Sequence, residues 1–279
     1  MFTIGFIDYF LDEWHANNYP DWIREASGGA MAVTHAFGLI DSPLGGLTSA
    51  QWCEKYGIKH AATIEEVLAA CDGLIVLSPD NPEMHLELCE KPLKSGKPVY
   101  VDKTFAPDLK TARAIFDIAN AHGTPMYSTS ALRYAEEYQG IDVNAISSLR
   151  TLGPGSFTNY IVHQLEPLCM LIKAKPVKAM CLTHDNCVTM AAVFADGRHA
   201  VLSNVPSAPG FGMDVFMKDS TRHITVASDF FKAFIRELVA FFKDPVPAVD
   251  QEETLRVMAL RDAGIRALEK PGQWVDVPT

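Results

Sequence analysis

The sequence predicts an α/β fold in which a Rossmann-type parallel sheet domain is followed by an α+β domain with an open, mainly antiparallel sheet. Through the first 123 residues, apolar strand-like runs alternate with helix-like segments, which is typical of βαβ units. From about Thr124 the alternation gives way to strand pairs joined by short turns. A chain of 279 residues is long enough for two domains, each with its own core.

Short apolar runs predict the strands of the first domain, because strands of a parallel sheet are covered on both faces and lack polar alternation. These runs occupy residues 2–7, 30–37, 73–77 and 98–101.

Capping residues predict the helices between these strands. Thr63 and Glu66 have the spacing of a capping box. Asn81 stands directly before a proline and is predicted to cap the next helix. Asp108 begins a further helix, which ends before Gly123, a residue that readily adopts the left-handed conformation.

The second half of the chain predicts antiparallel strands and two closing helices. Residues 188–194 and 199–202 flank an Asp-Gly pair, a favoured hairpin turn, and 215–217 with 223–226 form another possible pair. One amphipathic helix is expected from near Ser228 and another from Asp250 to Leu268. The predicted domains are therefore 1–123 and 124–279, with the last helix able to pack back on the first domain.

Composition excludes several classes of protein. A formal charge of −10 argues against nucleic acid, whose phosphates are bound mainly by Lys and Arg. No apolar run reaches the length of roughly 18–20 residues that spans a bilayer, and no secretory signal is recognised, so a cytoplasmic protein without membrane partners is expected. The six cysteines form no C-x-x-C pair, which favours reduced core thiols and predicts no metal site.

Several segments, in the same serial order, resemble the Gfo/Idh/MocA family. They are 63–79, 81–85, 94–103 with its strand ending in Asp-Lys, 153–167 with its Asn-x-x-x-His, and the terminal 274–278. The resemblance implies a dinucleotide-binding Rossmann domain, NAD or NADP as cofactor, and a sugar, polyol or related carbonyl compound as substrate. It also implies a homodimer or larger homo-oligomer, because the open sheet often forms the oligomer contact in this family.

The resemblance also assigns catalytic residues. Lys103 stands where the family has an active-site lysine, although a solvated lysine after a strand is the alternative. His163 is the candidate proton shuttle, since imidazole titrates near neutral pH; a buried histidine held by the backbone is the alternative. Asn159 lies one helical turn earlier, where the family more often has Asp, and asparagine cannot act as a base.

Other residues are assigned to substrate and cofactor by the same resemblance. The substrate candidates are Arg133, Tyr160 and Glu166. The cofactor candidates are Ile7, Asp8, Tyr9, Phe10, Ser78, Pro79, Asn81, His85 and Asp102. A surface arginine beside a core aromatic, and a glutamate at a helix start, remain alternatives for Arg133 and Glu166.

The turn after the first strand departs from the family. The glycines of G-x-G-x-x-G let the backbone approach a diphosphate at a helix start, yet no glycine lies between Gly5 and Gly28. The turn instead carries acids at Asp8, Asp12 and Glu13. At the end of the second strand, Asp41 is a weak substitute for the acid that holds the adenine ribose.

Two hypotheses follow. The first is an NAD(P)-dependent oxidoreductase, that is, a dehydrogenase of a sugar-like small molecule. The second is a non-catalytic or repurposed relative that has lost dinucleotide binding, because the acids with Trp14 and His15 suit a polyhydroxylated or cationic ligand. A polar, solvated loop is the alternative for that acidic turn.

Overall fold

A computed structural model describes residues 1–279, which divide into two compact units. Unit 1 comprises Met1–Thr129 and Lys232–Gln251, and unit 2 comprises Ser130–Phe231 and Glu252–Thr279. Unit 1 therefore extends six residues beyond the predicted boundary at 123, because a sixth strand follows that position, and it also includes the first closing helix.

Unit 1 contains a six-stranded parallel sheet in the order β3-β2-β1-β4-β5-β6. Its strands are β1 (Phe2–Asp8), β2 (Met31–Gly38), β3 (Lys59–His60), β4 (Gly73–Val76), β5 (Val99–Val101) and β6 (Met126–Ser128). This is the order of a doubly wound dinucleotide-binding sheet, with β1 and β4 adjacent at the point where the strand order reverses. The predicted Rossmann-type fold is confirmed.

Unit 1 contains six helices, two of which begin directly after the capping residues that the sequence marks. The six are α1 (Trp14–Ala26), α2 (Ser49–Tyr56), α3 (Ile64–Ala70), α4 (His85–Leu93), α5 (Leu109–His122) and α7 (Phe230–Lys243), whose first two residues are assigned to unit 2. Thr63 accepts a hydrogen bond from Glu66 N, and Asp108 accepts one from Thr111 N, as the capping patterns predict. Asn81 makes no side-chain cap, because a 3-10 turn precedes α4.

Close packing around β1 explains one glycine of unit 1. A Cβ on Gly5 would overlap the side chain of Val67 on α3. The glycine inside β1 therefore allows α3 to pack against the strand and does not contribute to a ligand loop.

Unit 2 contains a seven-stranded sheet in the order β12-β11-β7-β10-β9-β8-β13. Its strands are β7 (Ile146–Gly153), β8 (Pro176–His184), β9 (Cys187–Phe194), β10 (His199–Asn204), β11 (Gly212–Met217), β12 (Thr221–Thr225) and β13 (Val275–Asp276). All pairs are antiparallel except β7 with β10. The predicted hairpin around Asp196 and Gly197 is confirmed as β9–β10, and the open, mainly antiparallel sheet is confirmed with it.

Two helices pack within unit 2. They are α6 (Phe157–Leu171) and α8 (Gln251–Leu268), of which α8 starts one residue after its predicted start. No helix of the chain is both long and apolar enough to cross a membrane.

Candidate functional site

The turn between β1 and α1 carries large side chains at the spacing of the dinucleotide glycines. The β1 strand ends at Asp8, and α1 is capped by Glu13. Asp8, Phe10 and Glu13 reproduce the i, i+2, i+5 spacing of G-x-G-x-x-G, with no glycine at any of the three positions. Side chains therefore cover the backbone of this turn, whereas the glycines of G-x-G-x-x-G leave it open to a diphosphate.

Glu13 occupies the start of α1 with its own carboxylate. Its Oε2 accepts a hydrogen bond from His15 N at 2.7 Å, and its Oε1 accepts one from Ala16 N. These are amides of the first helical turn, which in dinucleotide-binding sheets point at the diphosphate. An anion of the chain itself thus fills the anion site, and it is stabilised by the positive end of the helix.

Two further acids of the region are engaged by neighbouring loops. Asp12 accepts hydrogen bonds from Leu47 N at 2.8 Å and from Asn17 Nδ2 at 3.1 Å. Asp41, the candidate for holding the adenine ribose, accepts a hydrogen bond from Ser49 N at 2.8 Å. A dinucleotide therefore does not fit here in the family's usual way, because Glu13 occupies the helix amides that a diphosphate would need.

Asp8 differs from these satisfied acids. Its side chain is buried at 1% exposure, and neither carboxylate oxygen has a hydrogen-bond partner. Burial and then the nearby Glu13 raise its pKa well above the ordinary value, and the N–H groups of Tyr9 and Phe10 offset this only in part. These two N–H groups lie near enough to act electrostatically without forming a hydrogen bond of normal geometry.

Asp102 follows β5 at the same carboxyl edge of the sheet. It is 1% exposed, and its Oδ1 accepts a hydrogen bond from Tyr100 Oη at 3.2 Å. Its Oδ2 has no hydrogen-bond partner and lies 3.9 Å from His15 Nε2. Burial lowers the pKa of His15, but Asp102 and the hydrogen bond to Glu13 outweigh it, so the pKa is raised. His15 accordingly favours its charged form between these two acids.

Lys103 is buried beside Asp102, with 9% of its surface exposed. Its Nζ donates to the carbonyl of Pro79 at 3.2 Å, which brings the segments after β4 and β5 together. Ser78, in the same loop as Pro79, has φ of 91° and donates its hydroxyl to Asn81 O. A non-glycine residue at positive φ is strained, and such strain is concentrated at ligand sites.

The remaining cofactor candidates in unit 1 lie in structural positions. His85 is fully buried, and its ring nitrogens lie 3.0 Å from Phe105 O and 2.7 Å from Leu77 O, so the ring holds two loops together. Ile7 belongs to the core. Tyr9 and Phe10 are half-buried and pack edge to face, with ring centroids 6.1 Å apart. Asn81 Nδ2 donates to Glu83.

Unit 2 contains the other predicted catalytic residues, on α6. His163 Nδ1 lies 2.7 Å from the hydroxyl of the buried Ser130, which fixes the ring. The ring packs edge-on against Tyr160, which is 41% exposed, with centroids 5.3 Å apart. Asn159 is half-buried, one turn before His163, as predicted from the spacing. The structure thus brings His163, Asn159 and Tyr160 together on one helix.

Arg133 and Glu166 form a buried ion-pair network in unit 2. Arg133 Nη1 lies 3.2 Å from Glu166 Oε2 and 2.7 Å from Glu253 Oε1. The arginine side chain is 10% exposed and the two carboxylates 4% and 11%. With two acids bound to one guanidinium, the geometry corresponds to a structural network more closely than to a substrate contact.

Sequence reasoning missed three polar residues of these sites. Ser130 orients His163, Tyr100 binds Asp102, and Glu253 completes the Arg133 network. The alternation of β5 gives a signal for Tyr100, because its side chain shares a face with Asp102 two residues later.

Comparison with known proteins finds similarity to an oxidoreductase family in one part of the chain. Residues 34–129 match the model of the Gfo/Idh/MocA oxidoreductase family, described as having an NAD-binding Rossmann fold. The match begins within β2, so β1 and the turn that carries Asp8 and Glu13 lie outside it. No protein of curated function matches the sequence.

Solved dehydrogenases share the fold over the full chain. Myo-inositol 2-dehydrogenase from Lactobacillus plantarum is 14% identical with a TM-score of 0.80, and the alignment covers 99% of each chain. Scyllo-inositol dehydrogenase from Lactobacillus casei, with bound NAD(H) and scyllo-inositol, is 13% identical over 100% of this chain and 99% of its own, with a TM-score of 0.80. GenD2 from gentamicin A biosynthesis, in complex with NAD, is 14% identical over 100% and 97%, with a TM-score of 0.79. At these identities the likeness shows the fold.

Proposed function

Because residues 34–129 match the model of the Gfo/Idh/MocA oxidoreductase family, we propose that the chain is a repurposed member of that family, which binds a polyhydroxylated, sugar-like small molecule and no longer binds a dinucleotide at its first turn. The binding site proposed is the carboxyl edge of the six-stranded sheet, where open α/β sheets take their ligands. Fold alone does not assign this function, so the proposal depends on the side chains at that edge.

The observation that carries the proposal is the Glu13 carboxylate on the amides of His15 and Ala16. A diphosphate would need these same N–H groups, and it would meet a negative charge already there. Like charges about 4 Å apart repel by roughly 1–4 kcal/mol at dielectric constants from water to protein-surface values. Displacement of Glu13 would in addition cost its cap, about 1 kcal/mol.

Polar side chains at the same edge support a retained ligand site. Asp8, Asp102 and Lys103 are buried at the ends of β1 and β5, and charged residues are seldom fully buried without a partner or a function. The half-exposed Trp14 packs edge-on against His15, with centroids 5.1 Å apart, and offers an aromatic surface beside these groups.

The test is a titration of the full-length protein with NADH and with NADPH, followed by nicotinamide fluorescence and by thermal shift. We expect both signals to stay flat at millimolar cofactor. Saturable fluorescence enhancement with a matching rise in Tm for either cofactor would overturn the proposal.

A second candidate is an NAD(P)-dependent oxidoreductase acting on a sugar, polyol or related carbonyl compound. The family description and the NAD-bound neighbours favour it, as does Lys103 at the end of β5. His163, held by Ser130 and with Asn159 on the same helix, is its proposed proton-transfer residue. The cofactor titration separates the two candidates, because only this one requires NAD or NADP to bind.

We also propose that the protein forms a homodimer or larger homo-oligomer through the open sheet of unit 2. This proposal rests on the resemblance, because the open sheet often forms the oligomer contact in that family, and this sheet leaves Leu152 on β7 and Leu182 on β8 40% and 53% exposed. Light scattering coupled to size-exclusion chromatography should give a mass above that of one chain; a monomer would contradict this proposal.

A further inference from the structure

Asp8 is a buried carboxylate that lacks a partner. Both of its oxygens are without a hydrogen bond, and its exposure is 1%. Buried polar groups are almost always hydrogen-bonded, and an unpaired buried charge is strongly unfavourable. In the free protein Asp8 therefore holds a proton, and a bound cation is the natural alternative.

A second unpartnered oxygen lies at the same edge of the sheet. Asp102 Oδ2 is buried and accepts no hydrogen bond. Asp8 and Asp102 end β1 and β5, the two strands that flank β4. The two carboxylates influence each other electrostatically, so a cation placed near them is attracted by both.

The cations of the chain do not neutralise this edge. The titratable groups near Asp8 and Asp102 are Glu13, His15, Lys103, His85 and the phenols of Tyr19 and Tyr100. Burial lowers the pKa of His85, so that ring favours its neutral form. The Lys103 ammonium is bonded to the carbonyl of Pro79. His15 is bonded through Nδ1 to Glu13, and its Nε2 lies 3.9 Å from Asp102 Oδ2. Even with His15 protonated, the carboxylates of Asp8, Asp102 and Glu13 outnumber the two cations, His15 and Lys103. An ionised Asp8 would therefore have no cation of the chain to balance its charge.

We propose that this edge recognises a protonated amine carried by the polyhydroxylated ligand, with the ammonium group bound by Asp8 and Asp102. The inference rests on the proposed function and names the class of its ligand, an amino sugar or aminated polyol. An organic cation is preferred to a metal ion because no group of three or more His, Cys, Asp or Glu side chains is arranged to hold a metal. The aromatic edge formed by Trp14 and Trp22, with centroids 5.6 Å apart, adds a surface that attracts cations and sugar C–H groups.

The proposed binding reaction releases a proton and therefore depends on pH. The neutral carboxyl of Asp8 loses its proton to solvent when the ammonium binds, and the resulting carboxylate pairs with the intact ammonium. Binding therefore strengthens as pH rises toward the pKa of Asp8, and it weakens again once the free amine itself loses its proton.

The experiment compares D-glucosamine with D-glucose on the full-length protein by calorimetry and thermal shift. We expect glucosamine to bind at least about tenfold more tightly than glucose, which corresponds to roughly 1.4 kcal/mol, and to release a proton detected by repeating the titration in buffers of different ionisation enthalpy. Asp8→Asn should remove the preference for the amine. Asp117→Asn makes the same substitution on an exposed face of α5 and should leave the preference intact.

The outcomes separate this inference from the proposed function. Equal binding of glucose and glucosamine, unchanged in Asp8→Asn, would overturn the amine assignment and leave the proposed function standing. Binding of NADH or NADPH in competition with the sugars would overturn the proposed function first. A response to Mg²⁺ or Ca²⁺ in place of the amine, or no response to any probe, would also overturn the inference. Asp102→Asn provides the same test if Asp8→Asn does not fold.

Discussion

Two buried groups of carboxylates, one in each unit, are handled in opposite ways. In unit 2, Glu166 and Glu253 both form ion pairs with Arg133, at 3.2 and 2.7 Å, although the contact of Glu253 Oε1 lacks the geometry of a hydrogen bond. In unit 1, neither oxygen of Asp8 has a hydrogen bond, and Asp102 Oδ2 has none and lies 3.9 Å from His15 Nε2. The acids are buried to similar degrees, so burial alone does not separate a structural acid from a ligand-binding one.

The difference lies in where each group sits on the secondary structure. The acids of unit 2 project from α6 and α8, and an arginine on a nearby 3-10 turn completes the network. The acids of unit 1 end parallel strands, where the fold binds its ligands. A network complete within the chain stabilises the fold, whereas an incomplete one at a ligand edge indicates that the missing charge comes from outside.

The largest expected effect is on the completed network. Arg133→Met leaves Glu166 without its cation and leaves Glu253 with only Arg256, at 3.8 Å, and loss of one partner from a buried ion pair typically costs about 3–5 kcal/mol. We expect the free energy of unfolding, measured by urea denaturation, to fall by that amount. Arg113→Met, on an exposed position of α5, is the control and should change it by less than about 0.5 kcal/mol. A loss of similar size in both variants would mean that the network contributes nothing specific.

A substitution at Asp8 is expected to raise the free energy of unfolding, the opposite of the effect at Arg133. Asp8→Asn replaces a carboxyl that must keep a proton in the folded state with an amide that needs none, so the free energy of unfolding at neutral pH should rise, by about 1.4 kcal/mol for each pH unit between the ordinary and the raised pKa of Asp8. Because the pKa of Asp8 is raised by burial and by Glu13, wild-type stability should fall as pH rises from the ordinary aspartate range through that raised pKa.

The variant should show a flatter dependence of stability on pH over the same range, with the same substitution at the exposed Asp117, Asp117→Asn, again as the control. If Asp8→Asn proves less stable than wild type at every pH, the carboxylate has a stabilising partner, and the contrast between the two units disappears.

The fold could be predicted because its determinants are local. Thr63, Asp108 and Gly123 cap their helices as their residue types require, and continuous apolar runs give the parallel strands. The 3-10 turn after Asn81 could not be predicted, because the hydroxyl of Ser78 bonds to Asn81 O and tertiary packing sets the local geometry.

The site could be predicted only in part, because its decisive contacts are non-local or depend on geometry. The loss of glycines identified the turn, but the pattern did not show that Glu13 would cap α1 or that Asp12 would bind Leu47 N. The pairing of Arg133 with Glu253 joins distant segments of the chain. Lys103 and His163 are well placed on their own elements, and their catalytic roles stay predictions.

The smallest expected change in the free energy of unfolding comes from removing the Glu13 cap. It tests whether Glu13 resembles the paired acids of unit 2 or the unpaired Asp8. Glu13→Ala removes the acceptor for His15 N and Ala16 N, and loss of an N-cap costs about 1 kcal/mol. Asp108→Ala is the matched control, since Asp108 caps α5 in the same way, and urea denaturation should give similar losses for both. A markedly smaller loss at Glu13 would show that repulsion from Asp8 offsets the cap. The charges of Glu13 and Asp8 would then depend on each other, and the turn would keep both acids for ligand binding although they lower the stability of the fold.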